Sequence, residues 1–182
     1  MAQGAAQLLA LHGVEGTSFA DVLALTNAPR GSIYHHFPGG KTELVHAALQ
    51  VAGERARAGM EPARGQSPVK VLERFLGLWR GLLDLSHLTA GCAVVAVTVA
   101  AGSDELLEHA GTIFRTWTDH LADLLVAGGM KAGDARPFAV MVIAATEGAV
   151  ALSRAEQSRA PFDTVATALV RQARAFPTRK VV

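Results

Sequence analysis

The sequence predicts an all-α protein of about nine helices. Aromatic residues make up only 5% of the chain and there are 7 prolines. Together with abundant alanine and leucine, this balance favours helices over a β-sandwich or barrel. Apolar residues recur at spacings of three and four, the period of a helix with one buried face. No segment shows the alternation typical of a strand.

The composition also limits the class of protein. Half of the 182 residues are hydrophobic and 18% are charged, so a sizeable core can form. The net charge is +1, and bulk charge therefore indicates no particular partner. The single cysteine excludes an intrachain disulfide framework and a multi-cysteine metal site.

Two short helices are predicted at the N-terminus. The first is Ala2–His12. The second begins at Thr17 or Ser18 and ends near Thr26, and Ser18 with Asp21 three residues later resembles a capping box. The residues of this second helix that should face the core are Phe19, Val22 and Leu23.

A tight turn and two further helices follow. Asn27 tolerates the left-handed conformation that a helix–helix turn requires. Pro29 suits the first turn of a third helix that ends near Phe37, because its missing N–H is not needed there. Pro38-Gly39-Gly40 breaks the chain, and a long fourth helix is expected from about Lys41 to Met60.

The remaining helices come after a loop at residues 61–68. Their expected positions are one ending near Leu85, a short one at about 94–101, a long one opened by Ser103 and Asp104, one at about 135–156, and a last one from Pro161. The long helix should bury Leu107, Phe114, Trp117, Leu121 and Leu124. We expect two domains, at residues 1–45 and 46–182.

The second and third helices have the spacing of a helix-turn-helix. In that motif the second helix lies in the major groove with its first residues toward the base edges. Arg30 could bind guanine with two hydrogen bonds, and Gly31 and Ser32 are small enough for close approach. Phosphate contacts, which set register, are expected from Thr17, Ser18, Tyr34, His35 and Lys41.

Residues 13–22 and the run Arg30-Gly31-Ser32-Ile33-Tyr34-His35-His36-Phe37-Pro38-Gly39-Gly40-Lys41 resemble the DNA-binding domain of the TetR family of repressors. The resemblance implies a three-helix head, a connecting fourth helix, and a larger helical domain for ligand binding and dimerisation. It departs from the family pattern at Asn27 and Pro29. The residues marked for DNA contact are Thr17, Ser18, Ala28, Pro29, Arg30, Gly31, Ser32, Tyr34, His35 and Lys41.

The second half of the chain carries a weaker resemblance. Residues 90–97 are similar to a Gly-Cys-Pro motif of the subgroup that includes LmrA and YxaF, with Ala93 in place of the proline. By that resemblance, the candidates for lining an effector cavity are Phe75, Trp79, Leu88, Cys92, Phe114, Trp117, Phe138, Met141 and Glu147.

The alternative for each apolar candidate is a plain core residue, and a lone buried cysteine is usually inert. Glu147 lies in an otherwise apolar helix, so it must be exposed, paired or reserved for a ligand. Pairing with an arginine across a dimer interface is equally plausible.

The expected assembly is a homodimer. One recognition helix contacts few bases, whereas two would bind half-sites about 34–36 Å apart. The alanine- and glycine-rich stretch at 144–151 could pack with the last helix as a four-helix bundle across a two-fold axis, which is how the family dimerises.

Enzyme motifs are not found. Gly39-Gly40-Lys41-Thr42 resembles the end of a P-loop, but the required earlier glycine and the preceding strand are missing. No HExxH or Gly-x-Ser-x-Gly pattern occurs, so we expect no catalytic residue, cofactor or metal. The apolar stretch at 88–101 is too short to span a bilayer, and no signal peptide is apparent. A cytoplasmic protein with no membrane partner is therefore expected.

The sequence thus predicts a repressor that binds double-stranded operator DNA as a homodimer and is released by a small, mainly apolar or aromatic effector. Two alternatives remain open. One is a helical small-molecule-binding protein or enzyme with a head of this shape. The other is an activator or architectural DNA binder that no ligand relieves.

Overall fold

The computed structural model describes residues 1–100 and 102–177, and it confirms the all-α class. Within these residues there is no strand. The elements are α1 (Ala2–His12), α2 (Phe19–Thr26), α3 (Arg30–His36), α4 (Gly40–Met60), a 3-10 turn (Glu61–Ala63), α5 (Pro68–Leu85), α6 (Ala93–Ala100), α7 (Asp104–Ala127), α8 (Ala132–Glu156) and α9 (Ala160–Ala175). Ala101, where the predicted sixth helix ended, lies outside the described residues.

The chain divides into two compact units. The first unit contains residues 1–55 and 90–114, and the second contains residues 56–89 and the chain from 115 onward. Two of the three divisions between the units therefore fall within α4 and within α7, and the third falls between α5 and α6.

The first unit is held together by α1, which packs against α2 and α6. The N–H of Gly91, just before α6, donates to the carbonyl of Ala10 at 2.8 Å. Several apolar side chains of this unit have no exposed surface at all: Leu9, Val22, Ile33, Leu44 and Leu49. These side chains form an apolar core on which the short N-terminal helices pack. Helix α3 needs this core because it has only 7 residues, and helices of that length are unstable alone.

The second unit is built around α5, α8 and α9, which pack against one another. A ladder of ion pairs joins α5 to the start of α9: Asp84 to Arg159 at 2.8 Å, Arg159 to Asp163 at 3.5 Å, and Asp163 to Arg80 at 3.0 Å. Because these groups are half exposed, water screens the ladder. The burial of apolar side chains on α5 contributes more to stability, and these are Val71, Leu72, Phe75, Leu76, Trp79 and Leu83.

The predicted buried stripe of α7 is confirmed at Trp117, Leu121 and Leu124. It was wrong at Leu107, and Phe114 is only half-buried. Leu107 is 47% exposed, whereas the neighbouring Leu106 is 6% exposed. One residue corresponds to a rotation of about 100° around a helix. The stripe therefore begins at Leu106 and continues through Ala110 and Ile113 to Trp117.

Among the described helices, α8 alone is long and apolar enough to cross a bilayer, and 44% of its most apolar window is buried within the fold. This helix is longer than the apolar stretch at 88–101, which is too short to span a bilayer. Long helices of globular cores meet the same criteria of length and composition, so this feature is weak evidence for a membrane span.

Gly128 lies where backbone segments approach closely. A Cβ added there would lie 2.3 Å from the Gln66 carbonyl oxygen and 3.2 Å from the Pro68 nitrogen. We expect Gly128→Ala to lower the free energy of unfolding by roughly 1–3 kcal/mol, because the backbone must shift to admit the methyl group. Urea unfolding followed by circular dichroism measures the change.

The matched control is Gly77→Ala, an exposed position in α5 with nothing within 4 Å of the added Cβ. It should raise the free energy of unfolding by roughly 0.5–1 kcal/mol through helix propensity alone. If Gly128→Ala and Gly77→Ala changed the free energy of unfolding equally, the close approach at Gly128 would not be a constraint.

Candidate nucleic-acid interface

A capping box begins α2. The Asp21 N–H donates to Ser18 Oγ at 3.2 Å, and the Ser18 N–H donates to Asp21 Oδ2 at 3.2 Å. The hydrogen bonds from Ser18, with a smaller contribution from the charge of His12, hold the pKa of Asp21 below its usual value. The carboxylate therefore stays ionised at the helix N-terminus, where the helix dipole favours it. This confirms the predicted box and leaves Ser18 exposed at the start of the helix.

Thr17 lies differently from the other predicted contact residues. It is only 1% exposed, and its Oγ1 donates to the Gly13 carbonyl at 2.7 Å. Its N–H donates to the carbonyl of Val14. Both donors are therefore satisfied inside the protein, and we assign Thr17 to the positioning of α2 rather than to DNA contact.

The turn between α2 and α3 has the left-handed residue that was expected. Asn27 has φ 51° and ψ 30°, so the chain reverses at the end of α2. Pro29 has φ −62° and ψ 139°, which places it just before the first helical residue rather than inside the first turn. The extended conformation of Pro29 sets the direction in which α3 departs.

One face of α3 is buried and the opposite face is exposed to solvent. Ile33 is fully buried and Phe37, at the end of the helix, is 8% exposed. Arg30, Gly31 and His35 are exposed on the outer face. No carboxylate of the described residues forms an ion pair with Arg30, so its guanidinium is available to an external anion or base edge.

Tyr34 is also on the outer side of α3, with 68% of its surface exposed. Its ring packs edge to face against Phe19 of α2, with centroids 5.7 Å apart. This contact orients the phenol without burying it, which suits a residue that contacts phosphate. The pairing of Phe19 with Tyr34 was not predicted, because residues of two different helices meet only in the folded head.

Gly31 and Ser32 are small residues, so few side-chain atoms project from the first turn of α3. A Cβ added to Gly31 would meet nothing within 4 Å, so the protein itself does not require glycine at this position. Ser32 is half-buried, and its hydroxyl donates to the Pro29 carbonyl at 2.6 Å. A flat surface without a side chain at Gly31 allows the helix backbone to approach a ligand closely.

The start of α4 is stabilised by a cap that the sequence analysis missed. The Gly39 N–H donates to Glu43 Oε2 at 2.7 Å. Gly40 has φ 78°, which L side chains rarely adopt. Lys41 follows, exposed in the first turn. A glutamate shortly after the Gly-Gly pair was the signal that could have indicated this cap.

The residues predicted to contact an effector do not all lie in one cluster. Phe75, Trp79 and Trp117 form one edge-to-face cluster, with centroid distances of 6.4 and 6.3 Å. Phe138 packs instead against Phe176, at 5.0 Å. All five belong to the second compact unit.

The other candidates are scattered. Cys92 is buried and Phe114 is half-buried, and both belong to the first unit. Met141 is half-buried, and so is Glu147, whose Oε1 has almost no exposed surface. Leu88 is half-buried in a loop with φ 64°, a strained conformation for leucine. Whether these residues bind an effector stays a prediction.

Comparisons with known proteins agree with this description of the head. Residues 3–48 match the family model described as bacterial regulatory proteins, tetR family. Residues 68–168 match the model described as transcriptional regulator LmrA/YxaF-like, C-terminal domain.

Two relatives and one solved structure are similar over most of the chain. The HTH-type transcriptional regulator Rv0196 of Mycobacterium tuberculosis is 34% identical, over 91% of this chain and 88% of its own length. The HTH-type transcriptional regulator LmrA of Bacillus subtilis is 28% identical, over 87% and 86%. The regulatory protein TetR from Rhodobacter sphaeroides superposes with a TM-score of 0.83 at 19% identity, covering 97% of this chain and 96% of that one. At that identity, the structural likeness concerns the fold.

The turn geometry makes a prediction for Asn27. Asn27→Ala should lower the free energy of unfolding by roughly 1 kcal/mol, because alanine is strained in the left-handed region. Asn27→Gly has no such strain and should stay close to the wild type. Thermal unfolding of the full chain compares the three proteins. A glycine variant as unstable as the alanine variant would mean that the asparagine side chain, and not the backbone conformation, is what matters.

Proposed function

Since the chain belongs to the TetR family of bacterial regulatory proteins, and is thus a transcriptional regulator with a helix-turn-helix DNA-binding domain rather than an enzyme, we propose that it is a ligand-responsive repressor. In this proposal it binds operator DNA as a homodimer, and a small, mainly apolar or aromatic effector releases it. The observation that carries the proposal is the outer face of α3. Arg30, Gly31, Tyr34 and His35 are exposed there, while Ile33 is fully buried.

The proposed DNA contacts follow from this face. Arg30, in the first turn of α3, would bind guanine in the major groove through two parallel hydrogen bonds. Tyr34, His35 and the exposed Lys41 would contact phosphates and set the register, with Ser18 at the N-terminus of α2. Ala28 and Pro29 flank the recognition helix, and Gly31 and Ser32 allow it to approach closely. The proposed division is a head at 1–45 and a regulatory domain at 46–182.

The proposed dimer would form through α8 and α9. Thr164, Thr167 and Ala168 lie on an exposed, shallow groove along α9. Gly148 on α8 is exposed with open space at its Cβ. Small side chains on both helices favour the close packing of a four-helix bundle across a two-fold axis.

The proposed effector would act on the regulatory domain. The buried aromatic cluster of Phe75, Trp79 and Trp117 would supply apolar contacts, while Met141 and Glu147 would add a flexible side chain and a polar group. The remaining candidates for effector contact are Leu88, Cys92, Phe114 and Phe138. An effector can release DNA only by binding more tightly to the state in which the two recognition helices are wrongly spaced. The protein would act in the cytoplasm.

Two substitutions in α3 test the DNA-binding face. Arg30→Ala should weaken binding to an operator by about 1–3 kcal/mol, since a bidentate base contact is lost. Gly31→Ala should raise the free energy of unfolding by roughly 0.5–1 kcal/mol and yet weaken DNA binding, because the added methyl group faces the groove. Fluorescence anisotropy with DNA from upstream of the protein's own gene measures affinity, with a scrambled duplex as reference.

The matched control is again Gly77→Ala in α5, which should stabilise the chain to the same degree without changing DNA affinity. A Gly31→Ala variant that is more stable and binds DNA as tightly as the wild type would contradict the proposed face. Specific DNA binding that no apolar compound relieves would favour an activator or architectural role instead. Ligand binding without specific DNA affinity would favour a small-molecule carrier.

A further inference from the structure

Two histidines join α4 to α7 within the first compact unit. His46 Nδ1 lies 2.7 Å from His109 Nδ1, and the two rings meet edge to edge, with centroids 4.9 Å apart and planes inclined by 22°. His46 Nε2 lies 3.2 Å from Glu105 Oε1. Both histidines are half-buried, whereas Glu105 is largely exposed. Within the described residues no three ligating side chains converge as a metal site would require, so the geometry favours a shared proton.

The carboxylate determines which nitrogen carries that proton. Two nitrogens at 2.7 Å need one donor and one acceptor. Glu105 beside His46 Nε2 favours the tautomer with hydrogen on Nε2, which leaves a lone pair on His46 Nδ1. His109 therefore donates its Nδ1–H to His46 Nδ1 in the neutral pair.

While its hydrogen bond is intact, the pair can hold one additional proton but not two. A first proton can bind at His46 Nδ1 while His109 moves its own hydrogen to Nε2, and the hydrogen bond then runs in the opposite direction. A second proton places hydrogen on both facing nitrogens and brings two cations together in a half-buried site. Glu105, beside His46 Nε2, is a single carboxylate and can offset only one of these charges.

We propose that the His46–His109 pair is a proton-operated latch that holds the N-terminal part of α4 against α7 and opens when both rings are protonated. A second contact lies further along α4, where a Cβ added to Gly53 would come within 3.1 Å of Ile113. The N-terminal end of α4, which directly follows α3 and its connecting turn, is therefore the part that the latch controls. Any effect on DNA binding rests on the proposed function, whereas the latch itself does not.

The electrostatics set the direction of the pH dependence. Burial and, to a lesser degree, the charge of His46 lower the pKa of His109, and Glu105 opposes this shift. The unfolded chain therefore takes up a proton at a higher pH than the folded chain. The neutral pair contributes fully to stability above the ordinary histidine pKa of 6.5. The first added proton leaves the hydrogen bond in place, so the contribution of the latch is lost at a lower pH, where the second proton binds.

A double-mutant cycle on the full chain tests the latch without DNA. The variants are His46→Gln, His109→Gln and the double substitution, each unfolded in urea at about pH 8 and about pH 5. At the higher pH each single variant should lower the unfolding midpoint, and the double variant should lower it no further than the worse single one. At the lower pH this non-additivity should disappear.

The matched control is His12→Gln, an exposed histidine of the same unit. The shift that it causes in the unfolding midpoint should add to the shift caused by His109→Gln at both pH values. His120 in the second unit also has a pKa lowered chiefly by burial, but it titrates in every variant and cancels in the comparison. Additive losses for His46 and His109 at both pH values would overturn the proposal.

Nuclear magnetic resonance of the histidine rings gives a second readout that does not depend on variants. At about pH 8 the wild type should show hydrogen on Nδ1 of His109 and on Nε2 of His46. Hydrogen on Nε2 of both rings would exclude the shared proton. Because neither experiment contains DNA, failure of the latch would leave the repressor proposal standing, and failure of DNA binding would leave the latch standing.

Discussion

Burial of Ile33 is the constraint on which the rest of the head depends. Its helix, α3, has 7 residues and would not be stable in isolation. With Ile33 fully buried and Phe37 nearly so, the helical period leaves Gly31 and His35 on the opposite side. The orientation of the proposed DNA-binding face therefore follows from apolar packing rather than from the polar residues that would contact DNA.

Local hydrogen bonds and backbone conformation then fix where that helix lies. The capping box of Ser18 and Asp21 begins α2, and the left-handed Asn27 ends it. At the other end, Gly39 is bound by Glu43 of α4. The contribution of each device to stability is small beside the burial of the core. Together they determine the angle at which the helices meet, and so connect the sequence of the turns to the geometry of the site.

Features encoded over a few residues could be predicted from the sequence, and features that need the folded chain could not. The capping box and the bounds of the N-terminal helices depend on local spacing, and both were found. The stripe of α7 was predicted correctly at Trp117, Leu121 and Leu124, but Leu107 was chosen in place of Leu106, because both are leucines and only packing distinguishes them. Likewise, the contact of His46 with His109, 63 positions away, appears only when separate segments meet.

The proposed function requires that two copies of this head bind one operator. Hydroxyl-radical footprinting on the DNA upstream of the protein's own gene tests it most directly. A dimeric repressor should protect two half-sites whose centres are about one helical turn of DNA apart or a multiple of it, and both should lose protection together when a releasing effector is added. A single protected patch, or protection that does not depend on sequence, would contradict it.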